Sequence, residues 1–235
     1  MTTTVPTDAA TRTMVSLVGS LADNKAALGQ RYGEWAVSAP ALEAAVAAAA
    51  MAQDELGHAR STYPVLKALG EDTDDDDRGH CLALLDEELA DWSAVIAANV
   101  VVDAVLSTFV ASCVGSSVAP MAQRAQKILQ EESSHRVHAE AWLKRLCRTD
   151  SSEREGFLRR LAEAWEHAGR WLGPDDDPGF AEAVEAGMIS CGPAEQRRQV
   201  LDWLADRLAA EGAEVELDEP ADWTRWDPQR RRWTA

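Results

Sequence analysis

The amino-acid sequence predicts an all-α protein, built as a four-helix bundle with additional C-terminal helices. Long segments carry apolar residues at the three- and four-residue spacing of a helix, and glycine or proline residues separate them. The connections are short, and no segment alternates apolar and polar residues as a half-buried strand does. We assign residues 1–150 to the bundle, and residues 151–235 to further helices and an irregular tail packed on it.

The first two predicted helices form an antiparallel hairpin. Residues 1–10 are expected to be a flexible arm, and helix one to cover residues 11–37. Helix two covers residues 41–69 and ends at Gly70, a residue type that readily takes the left-handed conformation found after helix ends. We expect the acidic residues 71–77 that follow to form a solvated surface loop.

The next two predicted helices form a second hairpin. A short amphipathic segment, residues 81–89, precedes Asp91, whose carboxylate suits the N-cap of helix three. Helix three runs to Cys113 and is apolar on nearly every side, which is typical of a helix buried among others. After a turn over residues 115–120, helix four covers residues 121–147.

The C-terminal third of the chain differs in character from the bundle. Two further helices are predicted over residues 151–172 and 193–211, with a short helix over residues 180–186 between them. From residue 214 onward the chain is rich in proline, tryptophan and arginine, which predicts an irregular tail with little strand.

Composition restricts the class of partner. At 235 residues, of which 46% are hydrophobic, the chain can bury a full core. It has 40 acidic against 23 basic residues, which gives a formal net charge of -17. Nucleic-acid backbones and anionic membranes attract positive charge, so we expect neither to be the main partner.

The cysteines and the first residues predict a cytoplasmic protein. The four cysteines are widely spaced and form no Cys-x-x-Cys pattern, so we expect reduced thiols. The first six residues, MTTTVP, lack the basic and apolar regions of a secretory signal peptide.

Two short motifs carry the candidate chemistry. Glu55 and His58 stand three residues apart in helix two, and Glu132 and His135 repeat that spacing in helix four. Residues three apart project from the same face of a helix. Two Glu-x-x-His pairs are the pattern with which four-helix bundles hold two metal ions in their core. Carboxylate and imidazole ligands suit iron or manganese.

Spacing along the helices identifies the residues that lie level with these motifs. Residues equally far from the turn of an antiparallel hairpin lie side by side, because a helix rises about 1.5 Å per residue. Lys25 is therefore level with Glu55, and Asp103 is level with Glu132. Asp103 is an acid within an apolar helix, where a metal ion, a cationic side chain or protonation must compensate its charge.

No carboxylate of helix one is level with Glu55. Glu34 lies only about 6 Å before the turn, too far along the bundle to be a ligand. Asp23 lies on the wrong face, and Asn24 is a poor iron ligand. The residue level with Glu55 is Lys25. Its ammonium group could take the place of one metal ion and form salt bridges with Glu55 and Glu132.

At these residues the sequence resembles the ferritin-like subunits of phenylacetyl-CoA epoxidase, a bacterial multicomponent oxygenase of phenylacetate catabolism. The resemblance covers roughly residues 21–146. Helices two and four, with the motifs QDELGH and EESSH, are similar to the catalytic di-iron subunit. Helix one, with LGQR and EW before AP, is similar to the structural, non-catalytic subunit, and the motif VDA matches both.

The resemblance implies a ferritin-like four-helix bundle and, in the catalytic subunit, six metal ligands. Five of the six positions are retained here as Glu55, His58, Asp103, Glu132 and His135. The three carboxylates, Glu55, Asp103 and Glu132, would be the catalytic ones. The sixth position, a glutamate in the family, falls on Lys25. The implied cofactor is iron, as a pair by resemblance, or as one ion or none because of Lys25.

The leading hypothesis from the sequence is a di-iron oxygenase component of monooxygenase or epoxidase type, acting in aromatic acid catabolism. Its implied partners are a homologous ferritin-like subunit or a second copy of the chain, a reductase component and an aromatic acyl-CoA substrate. Two alternatives stay open. One is a non-catalytic structural or partner subunit in which Lys25 replaces a metal, and the other is an iron-handling ferritin-like protein.

Overall fold

The computed structural model describes residues 8–71 and 81–234. Within these ranges the protein is all-α and its helices form a bundle of the ferritin-like type, as predicted. The helices are α1 (Ala9–Trp35), α2 (Leu42–Ala68), α3 (Trp92–Ser112), α4 (Ala119–Cys147), α5 (Ser151–Trp171), α6 (Pro178–Glu185) and α7 (Pro193–Ala210). Two short strands, β1 (Trp226–Asp227) and β2 (Arg232–Trp233), pair as an antiparallel ribbon in the tail.

The ends of the first hairpin follow from local capping. Helix α1 begins at Ala9, two residues earlier than predicted, because the carboxylate of Asp8 accepts a hydrogen bond from the backbone N–H of Thr11. Helix α2 ends before Gly70, which has a φ of 88°. Most of the predicted arm, residues 1–7, lies outside the described residues, as does all of the predicted acidic loop except Glu71.

Helix α3 forms the centre of the bundle. Asp91 caps it as predicted, since its carboxylate accepts a hydrogen bond from the N–H of Ala94. The helix is α-helical at both ends and π-helical over Ala98–Val102. By length and composition it could cross a membrane, but 78% of its most apolar window is buried inside the protein. The predicted amphipathic segment before it contains only a 3-10 turn, Ala83–Leu85.

Helices α1 and α2 approach each other closely at Gly29. A Cβ atom at this position would lie 2.8 Å from Cγ of Leu56 and 3.1 Å from the carbonyl oxygen of Ala52. These distances are shorter than carbon–carbon and carbon–oxygen contacts in well-packed interiors. The absence of a side chain at Gly29 therefore sets the separation of α1 and α2, one turn away from Lys25.

The C-terminal helices pack against the bundle through large buried side chains. The ring of Trp171 in α5 meets Phe109 of α3 edge-on, with ring centroids 5.3 Å apart, and its indole N–H donates to Ser20 Oγ of α1. Phe180 of α6 is fully buried. These contacts join the C-terminal helices to the bundle in one continuous hydrophobic core.

Two buried arginines satisfy the carbonyl groups at the end of α5. Arg197 of α7 donates to the carbonyl oxygens of Gly169 and Gly173, and Arg231 of the tail donates to those of Trp171 and Leu172. The last carbonyls of a helix have no partner within the helix. The tail is thus attached to the fold by hydrogen bonds that the sequence pattern did not reveal.

Candidate functional site

The structure brings the six predicted side chains together in the middle of the bundle. Each of the four bundle helices contributes at least one of them, at the levels that the spacing indicated. All six are buried, with exposed fractions between 0 and 6%. They are Lys25 from α1, Glu55 and His58 from α2, Asp103 from α3, and Glu132 and His135 from α4.

The ammonium group of Lys25 lies at the centre of this cluster. Its Nζ atom lies 2.9 Å from Oε1 of Glu55, 2.6 Å from Oε1 of Glu132 and 3.3 Å from Oδ1 of Asp103. An ammonium group has three hydrogens to donate, and here three carboxylates accept them. The fully buried lysine therefore makes every hydrogen bond available to it with protein carboxylates.

The surroundings of Lys25 keep it charged. Burial by itself would lower the pKa of the ammonium group. The nearby carboxylates of Glu132, Glu55 and Asp103 outweigh that effect and hold the pKa of Lys25 well above its ordinary value of 10.5. Lys25 is therefore a cation at neutral pH.

Asp103 is held by two neutral donors in addition to the lysine. The hydroxyl group of Tyr32 and the amide Nδ2 of Asn99 each donate to Oδ2 of Asp103 at 2.9 Å. Burial would raise the pKa of Asp103, but Lys25 and His135 hold it well below its ordinary value. The π-helical segment ends immediately before Asp103 and contains Asn99, four residues earlier.

The pKa values of the other two inner carboxylates, Glu132 and Glu55, shift in opposite directions. Burial would raise the pKa of Glu132, but Lys25 holds it below its ordinary value. Burial raises the pKa of Glu55 above its ordinary value of 4.5, and Lys25 compensates only part of that shift. The carboxylates of Glu132 and Asp103 also raise the pKa of Glu55. His58 and His135 add to the effect of Lys25 on Glu132.

His58 lies between an inner and an outer carboxylate. Its Nδ1 atom is 3.2 Å from Oε1 of Glu132, and its Nε2 atom is 2.9 Å from Oε2 of Glu131. Burial would lower the pKa of His58, but the carboxylates of Glu132 and Glu55 raise it to about 9. His58 is therefore an imidazolium at neutral pH.

His135 occupies the position on α4 that is equivalent to that of His58 on α2. Its Nδ1 atom lies 3.4 Å from both Glu55 Oε1 and Glu132 Oε2, and its Nε2 atom lies 3.4 Å from Oδ2 of Asp54. Burial would lower the pKa of His135, but the carboxylates of Asp103 and Glu55 raise it to about 11. Each histidine therefore bridges the buried cluster and a partly exposed acid.

The cluster is electrically neutral in this arrangement. The three inner carboxylates carry three negative charges, and Lys25, His58 and His135 carry three positive ones. Buried ions are tolerated in a low-dielectric interior when each is paired and hydrogen-bonded. These six side chains meet that condition through one another and through the hydrogen bonds that Tyr32 and Asn99 donate to Asp103.

The donor atoms also have features of a metal site. Glu55, Asp103, Glu132 and His135 offer ligand atoms that lie within 4.8 Å of one another, so this group could bind a metal ion. Nδ1 of both histidines and Oε2 of Glu55 are buried and make no well-aligned hydrogen bond. Donor atoms of this kind are suited to a cation.

Lys25 restricts what this donor set can hold. Its Nζ atom contacts one oxygen of each inner carboxylate, so a metal ion shared by all three would compete with the ammonium group. A pair of metal ions bridged by these carboxylates does not fit beside a buried ammonium group, and the helix-one carboxylate that would hold one of them is absent. The residues present provide one central cation position, and Lys25 fills it.

The residues that the level argument excluded lie outside the cluster. Oε1 of Glu34 pairs with Arg31 at 2.9 Å. Asp23 accepts a hydrogen bond from the hydroxyl of Tyr63 at 2.7 Å, and Asn24 accepts one from the N–H of Leu82 at 2.8 Å. The side chains of Glu34, Asp23 and Asn24 thus bind residues near α1 that lie outside the cluster.

Four residues of the site were not predicted to act in it. Tyr32 and Asn99 bind Asp103, while Asp54 and Glu131 bind the outer nitrogens of the histidines. A signal for Tyr32 exists, since it follows Lys25 by seven residues and so lies two helical turns away on the same face. Asp54 and Glu131 precede the motif glutamates by one residue, which gives no signal of a shared site.

A cavity of about 390 Å³ adjoins the cluster between α3, α4 and α7. Asp103 and Glu132 reach its inner wall, and Arg136, Gln199 and Trp203 lie along other parts of its lining. The cavity shows that one side of the cluster faces open space and not packed side chains.

Comparison with known proteins gives one match. A family model described as phenylacetic acid catabolic protein matches residues 1–235, which is the whole chain. A search of curated proteins finds no match.

Proposed function

The chain belongs to the phenylacetic acid catabolic protein family, and from this membership we propose that it is a non-catalytic partner subunit of a multicomponent oxygenase. The assembly would act on an aromatic acyl-CoA and receive electrons from a reductase component. In this assignment the chemistry takes place on a homologous subunit with a complete ligand set. This chain supplies a matching ferritin-like bundle.

The position of Lys25 is the observation that carries this proposal. Its ammonium group donates to three carboxylates that would otherwise share metal ions. Removing one partner from a buried ion pair costs about 3–5 kcal/mol. A metal that displaced Lys25 would have to offset that cost, and it would also have to displace the protons of two imidazolium groups.

The residues of the cluster have a structural role in this proposal. They link all four bundle helices at one level through ion pairs and hydrogen bonds. Directional contacts of this kind fix the register of packed helices more strictly than apolar contacts do. The cluster would thereby hold the bundle in the shape that a homologous subunit recognises.

Reconstitution with a homologous subunit tests the proposal. The chain is assayed alone, and then together with a family member that has glutamate at the position of Lys25. Both samples contain the reductase and phenylacetyl-CoA. We expect no substrate-dependent oxygen consumption by the chain alone, and stable binding to the homologue with activity in the complex. Turnover by the chain alone, dependent on Glu132, would overturn the assignment.

A second candidate function is a metal-holding oxygenase component, as the sequence first suggested. It is favoured by three buried atoms that make no well-aligned hydrogen bond, which are Nδ1 of His58, Nδ1 of His135 and Oε2 of Glu55. When bound, iron would supply dioxygen activation, and Glu55, Asp103, Glu132 and His135 would hold it. Lys25 would then have to leave the carboxylates. The two candidates differ in one measurable quantity, which is the metal content of the wild-type chain.

A further inference from the structure

The cavity beside the buried cluster has both polar and apolar side chains in its lining. Its volume is about 390 Å³, and it lies between α3, α4 and α7. This size is in the range of sites that hold small organic molecules. The groups along the lining therefore indicate which kind of molecule would fit.

Burial gives the cavity an inner and an outer end. Glu132, at the inner wall, has a side chain that is only 6% exposed, whereas that of Arg136, one turn later in α4, is 59% exposed. The guanidinium group of Arg136 lies over the ring of Trp203, at 4.9 Å from its centroid. Leu129 and Val200 contribute apolar surface to the lining. The cavity thus has a carboxylate at its buried end and a guanidinium group at its exposed end.

The inner wall offers hydrogen-bond acceptors. The hydroxyl group of Ser107 donates to Oε2 of Glu132 at 3.4 Å, and that of Thr108 donates to the carbonyl oxygen of Ala104 at 2.7 Å. Both hydroxyl oxygens keep lone pairs, but neither has a second hydrogen to donate. A ligand group that binds these oxygens must therefore donate a hydrogen bond.

Oε2 of Glu132 is the inner oxygen with the most free capacity. Its contacts with Oγ of Ser107 and with Nδ1 of His135 are both 3.4 Å long, which exceeds the ordinary length of a hydrogen bond. Oδ2 of Asp103, the other carboxylate at this wall, already accepts two hydrogen bonds of 2.9 Å. A short hydrogen bond from a ligand would therefore go to Glu132.

From these contacts we propose that the cavity binds a small aromatic acid that carries a hydroxyl group. The hydroxyl group would donate to Oε2 of Glu132, and the ring would pack against Leu129 and Val200. The carboxylate would accept hydrogen bonds from the guanidinium group of Arg136, whose Nε atom donates to Glu140 and whose terminal nitrogens have no hydrogen-bond partner among residues 8–71 and 81–234. A thioester carbonyl has no hydrogen to donate, so an aromatic acyl-CoA lacks the group that this wall requires.

Isothermal titration calorimetry of the full chain, with a chelator present, tests this proposal. The probe is para-hydroxyphenylpropanoate, and phenylpropanoate is the matched ligand without the hydroxyl group. We expect the hydroxylated acid to bind at least about tenfold more tightly, because the unsubstituted ring leaves Oε2 of Glu132 without a short hydrogen bond. The chelator makes the result independent of metal content, and so of the role proposed above.

Arg136→Met should weaken binding of the hydroxylated acid at least about tenfold, since it removes the partner of the ligand carboxylate. Arg145→Met is the matched control. Arg145 is an exposed arginine of the same helix and also lies over a tryptophan, at 4.6 Å from the ring centroid of Trp142, but it is not part of the cavity lining. This variant should bind like the wild type, and circular dichroism should show equal helix content in all three proteins.

Three results of the titrations would overturn the proposal. They are equal affinity for the two acids, unchanged binding by Arg136→Met, and no binding of the hydroxylated acid at millimolar concentration. Displacement of the hydroxylated acid by phenylacetyl-CoA of equal or higher affinity would also contradict it, because the cavity would then be a site for the thioester.

Discussion

Lys25 places one positive charge where three buried carboxylates converge. Without it, the cluster would retain three acids and only two imidazolium groups at a buried site. The lysine side chain is fully buried, so water does not replace its carboxylate partners. At the scale of single residues, its replacement should therefore affect both stability and ion binding, in ways that depend on the new side chain.

Lys25→Met should lower the free energy of unfolding by about 3–5 kcal/mol, because it leaves buried carboxylates without their cation. Urea unfolding followed by circular dichroism, with a chelator present, measures this change. Lys127→Met is the control, since Lys127 is 63% exposed and pairs with Glu131 on the surface. Its loss should cost less than about 1 kcal/mol. Equal effects of the two changes would contradict a central role for Lys25.

Lys25→Glu should increase the amount of metal that copurifies with the chain. The change removes the competing ammonium group and adds a carboxylate level with Glu55, which completes a six-ligand set. Mass spectrometry of the metal content, after growth with added iron, measures the increase. Lys25→Gln, which adds no charged ligand, should bind less metal than Lys25→Glu. Unchanged metal content in Lys25→Glu would show that the level position is not a ligand position.

The raised pKa of His58 predicts a loss of stability in alkaline solution. A folded-state pKa of about 9, above the ordinary value of 6.5, means that the folded protein binds this proton more tightly than the unfolded chain. The stabilisation is complete below pH 6.5 and disappears as the pH rises through about 9. Urea midpoints between pH 7 and pH 9 should fall for the wild type.

His58→Gln should reduce that pH dependence, and His138→Gln should not. Burial lowers the pKa of His138 to about 4, so His138 does not titrate between pH 7 and pH 9. The same slope in His58→Gln as in the wild type would show that His58 is not protonated in the cluster.

The residue pairs of the site could be predicted from the sequence because the helices are long and regular. A fixed rise per residue was enough to match Lys25 with Glu55 and Asp103 with Glu132. Asn99, which binds Asp103, and the partners of the histidine Nε2 atoms could not be found this way. They depend on the rotation of each helix about its axis, and on the π-helical segment that changes this rotation before Asp103.

At the scale of elements, the contact of α1 with α2 determines whether Lys25 reaches Glu55. Gly29 lies one turn after Lys25 and allows the two helices to touch. Gly33, one turn further, faces only Cβ of Ala52 at 3.9 Å from the position of an added Cβ, which is an ordinary contact. These two glycines of the same helix therefore form a matched pair for substitution.

Gly29→Ala should destabilise the protein by about 1–3 kcal/mol, because the new methyl group overlaps Leu56 and the backbone of Ala52. Gly33→Ala should be neutral or stabilise by up to about 1 kcal/mol, since alanine favours the helix and meets no obstacle. Thermal unfolding of both variants measures the difference. A Gly29→Ala protein as stable as Gly33→Ala would show that α1 and α2 are not in the close contact described.

At the scale of the whole molecule, the tail completes the fold through a buried arginine, Arg231, and several tryptophans. The guanidinium group of Arg231 lies over Trp226 at 5.2 Å from its ring centroid while it binds the end of α5. Composition correctly indicated a tail rich in arginine and tryptophan. It did not indicate that the arginine is buried, because the carbonyl groups that it binds become available only where α5 ends in the folded chain.

Arg231→Met should destabilise the protein by about 2–4 kcal/mol, since it leaves two buried carbonyl groups without donors. Arg230→Met is the control, because Arg230 is exposed and should tolerate the change. Urea unfolding measures both. If the two variants unfold at the same urea concentration, the tail does not contribute to the stability of the core.

The proposed role of the whole molecule depends on which cation occupies the centre of the bundle. The most direct measurement is the metal content of the wild-type chain, purified after growth with added iron and incubated with excess ferrous ion before desalting. With Lys25 as the resident cation, the chain should retain far less than one iron per molecule. Two irons per chain, with the absorption of an oxo-bridged pair, would contradict the lysine-centred site and the non-catalytic role.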